Sequence, residues 1–321
     1  MKDSMPCYGV GALLYCPANR RGIADFVITE KFGTNYSLAL CLEDTIGDCC
    51  VAQAENSLLH SLTQIFQARQ THAFFLPKIF IRVRNAGQIR SLLSRLKDAS
   101  RILSGFILPK FDLDNANAYI QSMVIANETC NEPCYMMPIM ESPALIDLRS
   151  RGDVLYELKD RLKKTEELVL NIRVGGNDLC HAFGFRRHIN ETIHDILPVS
   201  NILSDIVTAF GREYVVSGPV WEYYDGQGWR DGMRRELALD RLMGFVGKTV
   251  IHPRQIPLVN EAYAVSKEDY KDALDILSWD EASASLVSGN ARSQRMNEQK
   301  THRNWAKKIM YLSKAYGVAP N

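Results

Sequence analysis

Residues 134–178 open with Cys134-Tyr-Met-Met-Pro-Ile-Met140, a short apolar run that stops at Glu141, Ser142 and Pro143. They close with Leu168-Val-Leu-Asn-Ile-Arg-Val174, a second such run, followed by Gly175-Gly176-Asn177-Asp178. Between the two lies a charged, helix-forming segment, Leu145 to Glu167. The pattern predicts a strand–helix–strand unit with one carboxylate just past the end of each strand. In parallel α/β folds the strand ends are where chemistry sits, and two acids there can hold a divalent cation between them.

Similar runs recur on both sides of this unit. Gly11 to Cys16 is stopped by Pro17, Ser37 to Leu42 ends in Glu43-Asp44, Lys78 to Val83 ends in Arg84-Asn85, and Ser104 to Leu108 ends in Pro109-Lys110. Downstream, Tyr214 to Ser217 ends in Gly218-Pro219 and Lys248 to Ile251 ends in His252-Pro253. Helical periodicity fills the gaps: Ile89, Leu92, Leu93 and Leu96 form one stripe, and 52–68, 112–127 and 230–243 behave similarly. Eight strands alternating with helices predict an α/β fold of the (β/α)8 TIM-barrel type. An open doubly wound sheet would want a glycine-rich loop after its first strand, and Pro17-Ala-Asn-Arg20 is not one.

The barrel is expected over residues 1–264, with a mostly helical C-terminal extension or lid over 265–321. In that tail 269–277 is helical, 281–289 is rich in Ser, Ala and Gly, and 290–300 reads as a mobile polar connector. A helical stripe resumes through Ile309, Leu312 and Tyr316.

With 321 residues, 46% of them hydrophobic and 23% charged, the chain can bury a full core without disulfide or metal support. Its 38 basic and 37 acidic side chains leave a net charge of +1, which argues against nucleic acid or an anionic membrane as partner. Arg20-Arg21 and Arg186-Arg187 read as solvated faces. The eight cysteines, at 7, 16, 41, 49, 50, 130, 134 and 180, contain no C-x-x-C pair and suit neither a disulfide framework nor a zinc site. No run approaches the ~18 residues of a membrane span, and 10–16 lacks the features of a signal peptide. The expected compartment is the reducing cytoplasm.

If the barrel closes, Glu43, Asp44, Arg82, Arg84, Lys110, Glu141, Asp178 and His252 converge on one mouth. Four acids there repel one another unless cations or protons compensate. Oxygen donors without nearby His or Cys favour Mg²⁺ or Mn²⁺ over Zn²⁺. Glu141 and Asp178 are the expected direct ligands, with Glu43 and Asp44 accepting hydrogen bonds from the metal's waters. Gly175 and Gly176 allow close backbone approach to a ligand, and Pro109 and Lys110 join that ligand-facing set. Arg82 beside a Lewis-acidic metal suits enolate chemistry: its guanidinium can donate to the oxygen on which charge develops during carbon–carbon bond cleavage or formation. His252 at a strand end reads as a loop-fixing residue. Trp221, Tyr223 and Tyr224 either line the mouth or pack beneath a loop.

These motifs, in order, resemble the citrate lyase β-subunit-like family within the HpcH/HpaI aldolase superfamily, which includes malyl-CoA lyases. The residues that carry the resemblance are 13–20, 40–46, 107–110, Met140-Glu-Ser-Pro143, Gly175-Gly-Asn-Asp-Leu179 and 244–256, spread over about 11–275. It implies a Mg²⁺-dependent barrel, trimeric or hexameric, acting on hydroxy or oxo acids or their acyl-CoA thioesters. By motif, Glu141 and Asp178 match its metal ligands, Glu43 and Asp44 its acid pair, and Arg82 its catalytic arginine. Three departures stand out: Gly11, Val51 and Glu55 occupy positions where the family usually carries Arg, Lys and Arg. Those basic groups help hold CoA phosphates, so their loss counts against a CoA thioester as substrate. Met296-Asn-Glu298 is a weak echo of a late acid that closes over a neighbouring subunit's site, which makes Glu298 a candidate lid acid. Two other readings remain: a metal-dependent aldolase on a non-CoA carbonyl substrate, or a lapsed barrel that serves as a binding subunit.

Overall fold

The computed structural model describes residues 5–129, 132–280, 285–290 and 293–320. Eight parallel strands form one sheet: β1 (Ala12–Pro17), β2 (Ser37–Cys41), β3 (Lys78–Arg82), β4 (Leu103–Leu108), β5 (Tyr135–Met140), β6 (Ile172–Val174), β7 (Val216–Ser217) and β8 (Lys248–Val250). They are ordered β7-β6-β5-β4-β3-β2-β1-β8. The sheet closes on itself where the Val246 N–H donates to the Val216 carbonyl at 2.8 Å and Gly218 bridges to Lys248. This is the expected (β/α)8 barrel. Closure demands a tight fit at β4, where the register against β3 shifts. A Cβ on Gly105 (φ +153°) would lie 1.9 Å from the Tyr135 carbonyl oxygen, so only glycine fits there.

Alternation along each strand sorts side chains into two apolar layers. Outward residues such as Leu14, Leu40, Ile81 and Phe106 pack beneath the surrounding helices. Inward residues, among them Leu13, Ala39, Phe80, Ile107, Met137 and Val215, fill the lumen. The helix Ala86–Leu96 illustrates the outer layer. Asn85 caps it by accepting the Gln88 N–H, and Ile89, Leu92 and Leu96 are its buried stripe. The helix Leu197–Phe210, not singled out by periodicity, buries Ile202, Leu203 and Ile206 in the same way.

The extension differs from expectation in two respects. Its last helix, Gln299–Tyr316, closes the base of its own barrel instead of lidding the mouth. Tyr311, Ala315 and Tyr316 join Cys7, Tyr8 and Val10 in the lumen cluster, and Tyr8 stacks on Tyr311 with ring centroids 4.9 Å apart. Tyr316 also approaches Gly11 and Gly247, which immediately precede β1 and β8, so it lies at the end opposite the mouth. Secondly, the polar stretch read as a mobile connector carries a strand: β10 (Met296–Glu298) pairs antiparallel with β9 (Val287–Gly289). Polar contacts hold this hairpin. Asn290 Oδ1 accepts from the Gln294 N–H, and Arg295 pairs with Asp269 and Asp272. An apolar pattern is therefore missing from its sequence. Residues 281–284 and 291–292, like Cys130, lie outside the described residues.

One buried polar cluster sits outside the lumen. Lys248 Nζ, fully buried, donates to Glu236 Oε1 at 2.8 Å and Asp240 Oδ2 at 2.6 Å. His194 Nε2 reaches Asp240 Oδ1 at 2.8 Å. Arg187 pairs with Glu236 and is 2% exposed, so it is a core ion-pair member and not part of a solvated face; Arg186 is exposed. Among the described residues, no helix is long and apolar enough to cross a membrane.

Candidate active site

The C-terminal strand ends converge on a cavity of about 250 Å³. β3 ends on Arg82, whose Nη2 lies 2.8 Å from Glu43 Oε2, 2.8 Å from Asp44 Oδ2 and 3.3 Å from Glu141 Oε1. One guanidinium thus ties the acid pair after β2 to the acid after β5. Lys110, in the left-handed region (φ 48°) just after β4, adds a second tie. Its amide N–H donates to Glu141 Oε1 at 2.9 Å and its ammonium to Asp44 Oδ1 at 2.9 Å, with Glu43 Oε1 also in contact. Pro109 is buried and ends the strand without lining the cavity. Arg84 braces the acid loop from outside by donating to the carbonyls of Leu42 and Ile46 and pairing with Asp48.

The acids are held in unequal states. Burial, reinforced by the negative charges of Asp178 and Glu43, pushes the Glu141 carboxyl up to about 8, against the pull of Arg82 and the Lys110 amide. Burial and the hydrogen bond with Asp44 raise Glu43 in the face of Arg82 and Lys110. For Asp44 burial opposes ionisation, but the hydrogen bonds with Glu43 and Lys110 and the charge of Arg82 outweigh it and hold the carboxyl down to about 2.

Asp178 sits in the first turn of the helix Gly176–Ala182, half-buried and facing the cavity. Among the described residues it has no hydrogen-bond or ion-pair partner. The two glycines before it serve different ends. A Cβ on Gly175 would fall 1.9 Å from Glu141 Oε2, so this glycine makes room for the carboxylate itself. A Cβ on Gly176 would meet Ile193 and Pro219 at 2.6 and 2.7 Å, so it admits close packing of the helix start.

The family model described as C–C bond lyase of the TIM-barrel fold matches residues 4–318. The chain belongs to this family. A 74-residue segment is 36% identical to an L-malyl-CoA/beta-methylmalyl-CoA lyase of Cereibacter sphaeroides; it spans 23% of this chain and 22% of that relative. A citrate lyase from Burkholderia xenovorans shares the fold with TM-score 0.72 at 15% identity, over 97% of this chain and 94% of that one. The CitE protein of Mycobacterium tuberculosis, solved with magnesium, acetoacetate and coenzyme A, gives TM-score 0.62 at 18% identity, over 96% and 99%.

In this C–C bond lyase family member the mouth brings Glu43, Asp44, Arg82, Lys110 and Glu141 into direct contact, with Asp178, Gly175 and Gly176 on the same cavity. Glu298 lies elsewhere: it ends β10, takes the His302 imidazole on its amide N–H, and does not line its own chain's cavity. His252 fixes a loop as expected, its Nδ1 accepting the Arg254 N–H and its ring stacked on Tyr224. Trp221 and Tyr223 pack beneath that loop, where Gln255 donates to both of their carbonyls. Glu55 is engaged by Gln88 and Arg95.

Among the cavity residues that went unnoticed in the sequence are Tyr15, Arg173 and Thr249. The available signal was polarity inside an apolar run. Arg173 is the one charged residue in Leu168–Val174, and Tyr15 the one hydroxyl in Gly11–Cys16.

A hard divalent cation fits this donor set. Glu141 and Asp178 offer oxygens with no His or Cys beside them, and a cation would restore the ionised form that burial denies Glu141. Among the described residues no three His, Cys, Asp or Glu side chains form a ready-made cage. A two-carboxylate site completed by water and substrate oxygens is the arrangement Mg²⁺ commonly adopts.

Proposed function

We propose that the chain is a Mg²⁺-dependent carbon–carbon bond lyase or aldolase that acts on a small hydroxy or oxo acid, with Glu141 and Asp178 as the metal ligands. The carrying observation is that these two acids face one cavity from successive strand ends with Arg82 between the acid pair and Glu141. Mn²⁺ would fit the same donors. When bound, the metal supplies Lewis acidity toward the substrate's carbonyl and carboxylate oxygens.

The chain's own groups divide the remaining work. Arg82 holds a positive charge at the cavity wall, where it would stabilise the oxygen on which enolate charge develops. Glu43 and Asp44 fix that guanidinium in place, and Lys110 in turn fixes both acids. The small cavity and the engagement of Glu55 by Arg95 favour a free acid over a CoA thioester. By resemblance to its family we further propose a homotrimer or homohexamer, in which Glu298 would serve only a neighbouring copy's mouth.

Calorimetric titration of the purified chain with Mn²⁺ tests the site. Glu141→Gln and Asp178→Asn are each expected to weaken binding by about tenfold or more, in the range seen when a ligand or its support is lost. Unchanged affinity in both variants would rule the metal site out.

A further inference from the structure

Cys49 and Cys50 stand apart from the other described cysteines. Cys7, Cys16, Cys41, Cys134 and Cys180 are buried, whereas Cys49 is exposed and Cys50 partly so. The two thiols face each other, with their Sγ atoms 3.6 Å apart. They lie in the 3-10 turn Asp48–Cys50 that carries the acid loop after β2 into the helix Val51–Thr71. That loop is held by few bonds. The Ile46 N–H donates to the Glu43 carbonyl and the Cys50 N–H to the Gly47 carbonyl, both at 2.9 Å. Arg84 clamps the loop at three points, donating to the carbonyls of Leu42 and Ile46 and pairing with the Asp48 carboxylate. Asp48, the outermost of these points, is the residue directly before the thiol pair.

We propose that Cys49 and Cys50 form an accessible dithiol site that a small disulfide of the glutathione type closes to a Cys49–Cys50 disulfide, and that closure loosens the loop bearing Glu43 and Asp44. The Cys49 thiolate attacks one sulfur of the small disulfide, breaking its S–S bond and releasing one thiol. Cys50 then gives its proton to solvent and attacks the Cys49 sulfur, and the second thiol departs. Two protein thiols are oxidised and one small disulfide is reduced to two thiols. The hydrogen bond and charge of Cys49 push the Cys50 thiol up, which keeps Cys50 protonated until Cys49 has reacted. Closure has a geometric cost. Adjacent Cα atoms stand about 3.8 Å apart, short of the roughly 4.4–6.8 Å usual for a disulfide, so the backbone of the turn must distort. The distortion falls beside Asp48 and on the Cys50 N–H, where the loop is fastened. A strained, exposed disulfide of this kind is readily reduced again, so the change is reversible.

The full chain is incubated with oxidised glutathione, alkylated and digested with trypsin, which leaves 32–69 as one peptide. This peptide is expected to lose the mass of two hydrogen atoms without gaining glutathione, and dithiothreitol should reverse the change. Cys49→Ser and Cys50→Ser should each abolish that loss and carry one glutathione adduct instead. A stable adduct on the wild-type chain overturns ring closure. Retention of the two-hydrogen loss in either variant also overturns it, because Cys41 in the same peptide would then be a partner. Hydrogen exchange reads the second half of the proposal. In the oxidised wild type the Ile46 and Cys50 amides should exchange about tenfold faster or more, as loss of a hydrogen bond of ordinary strength allows. Neither serine variant should show this acceleration after the same treatment. Unchanged exchange at Ile46 in the oxidised chain would show that the acid loop does not sense the thiols.

Discussion

Glu141 carries the largest conflict in the molecule: a carboxylate 5% exposed, facing Asp178, with its carboxyl pushed up to about 8. The consequence for stability follows from proton counting. An unfolded glutamate titrates near its ordinary value of about 4.3, so between there and pH 8 the folded chain holds the extra proton. Stability then falls as pH rises through that window, because the native state binds more protons than the unfolded one. Glu141→Gln mimics the protonated form and should lose this slope. In urea melts without metal, the variant is expected to gain on the wild type between pH 5 and 8 and to converge with it near pH 4. A wild-type slope retained in the variant would mean that Glu141 titrates normally. At this scale the acids were legible in the sequence because each lies in the short polar stretch that ends an apolar run. Arg173 was not, since burial of a charge inside a strand leaves no periodic trace. Which way its side chain points is set by barrel closure.

The strands were visible one by one because each apolar run ends abruptly in polar residues, and their number alone implied closure. Their lengths were overestimated for β6 and β7, where Leu168–Asn171 and Tyr214–Val215 stay outside the regular ladder. The device that secures closure on the β8 side was also hidden. Lys248, within an otherwise apolar Thr-Val-Ile context, reads as a strand start, but it is fully buried between Glu236 and Asp240. Both acids come from the helix Trp229–Met243, so their spacing of four places them on one face of it. Replacing Lys248 by Met would leave two buried carboxylates with Arg187, the Ile193 N–H and His194 as their partners. The expected loss is about 3–5 kcal/mol, the usual result of removing one member of a buried charge group, measured by urea denaturation. A loss below about 1 kcal/mol, the level of an exposed pair, would show the cluster to be solvated.

For the molecule as a whole, the extension was recognised as helical but its destination was not, because nothing local in Trp305–Tyr316 says which end of a barrel it covers. The answer lies in aromatic pairing with the chain's own start, Tyr8 on Tyr311, together with the return of the terminus to Val265 through the Gly317 carbonyl and the Ala319 N–H. The lumen is therefore a well with a floor. Under the lyase reading, bond cleavage in such a well yields two fragments that share one exit, and the upper one must depart before the lower can move. Product release should be ordered. Steady-state inhibition would then be competitive with substrate for the fragment that leaves last and noncompetitive for the one that leaves first. Competitive patterns for both would require a second way out, which the tyrosines at the base deny.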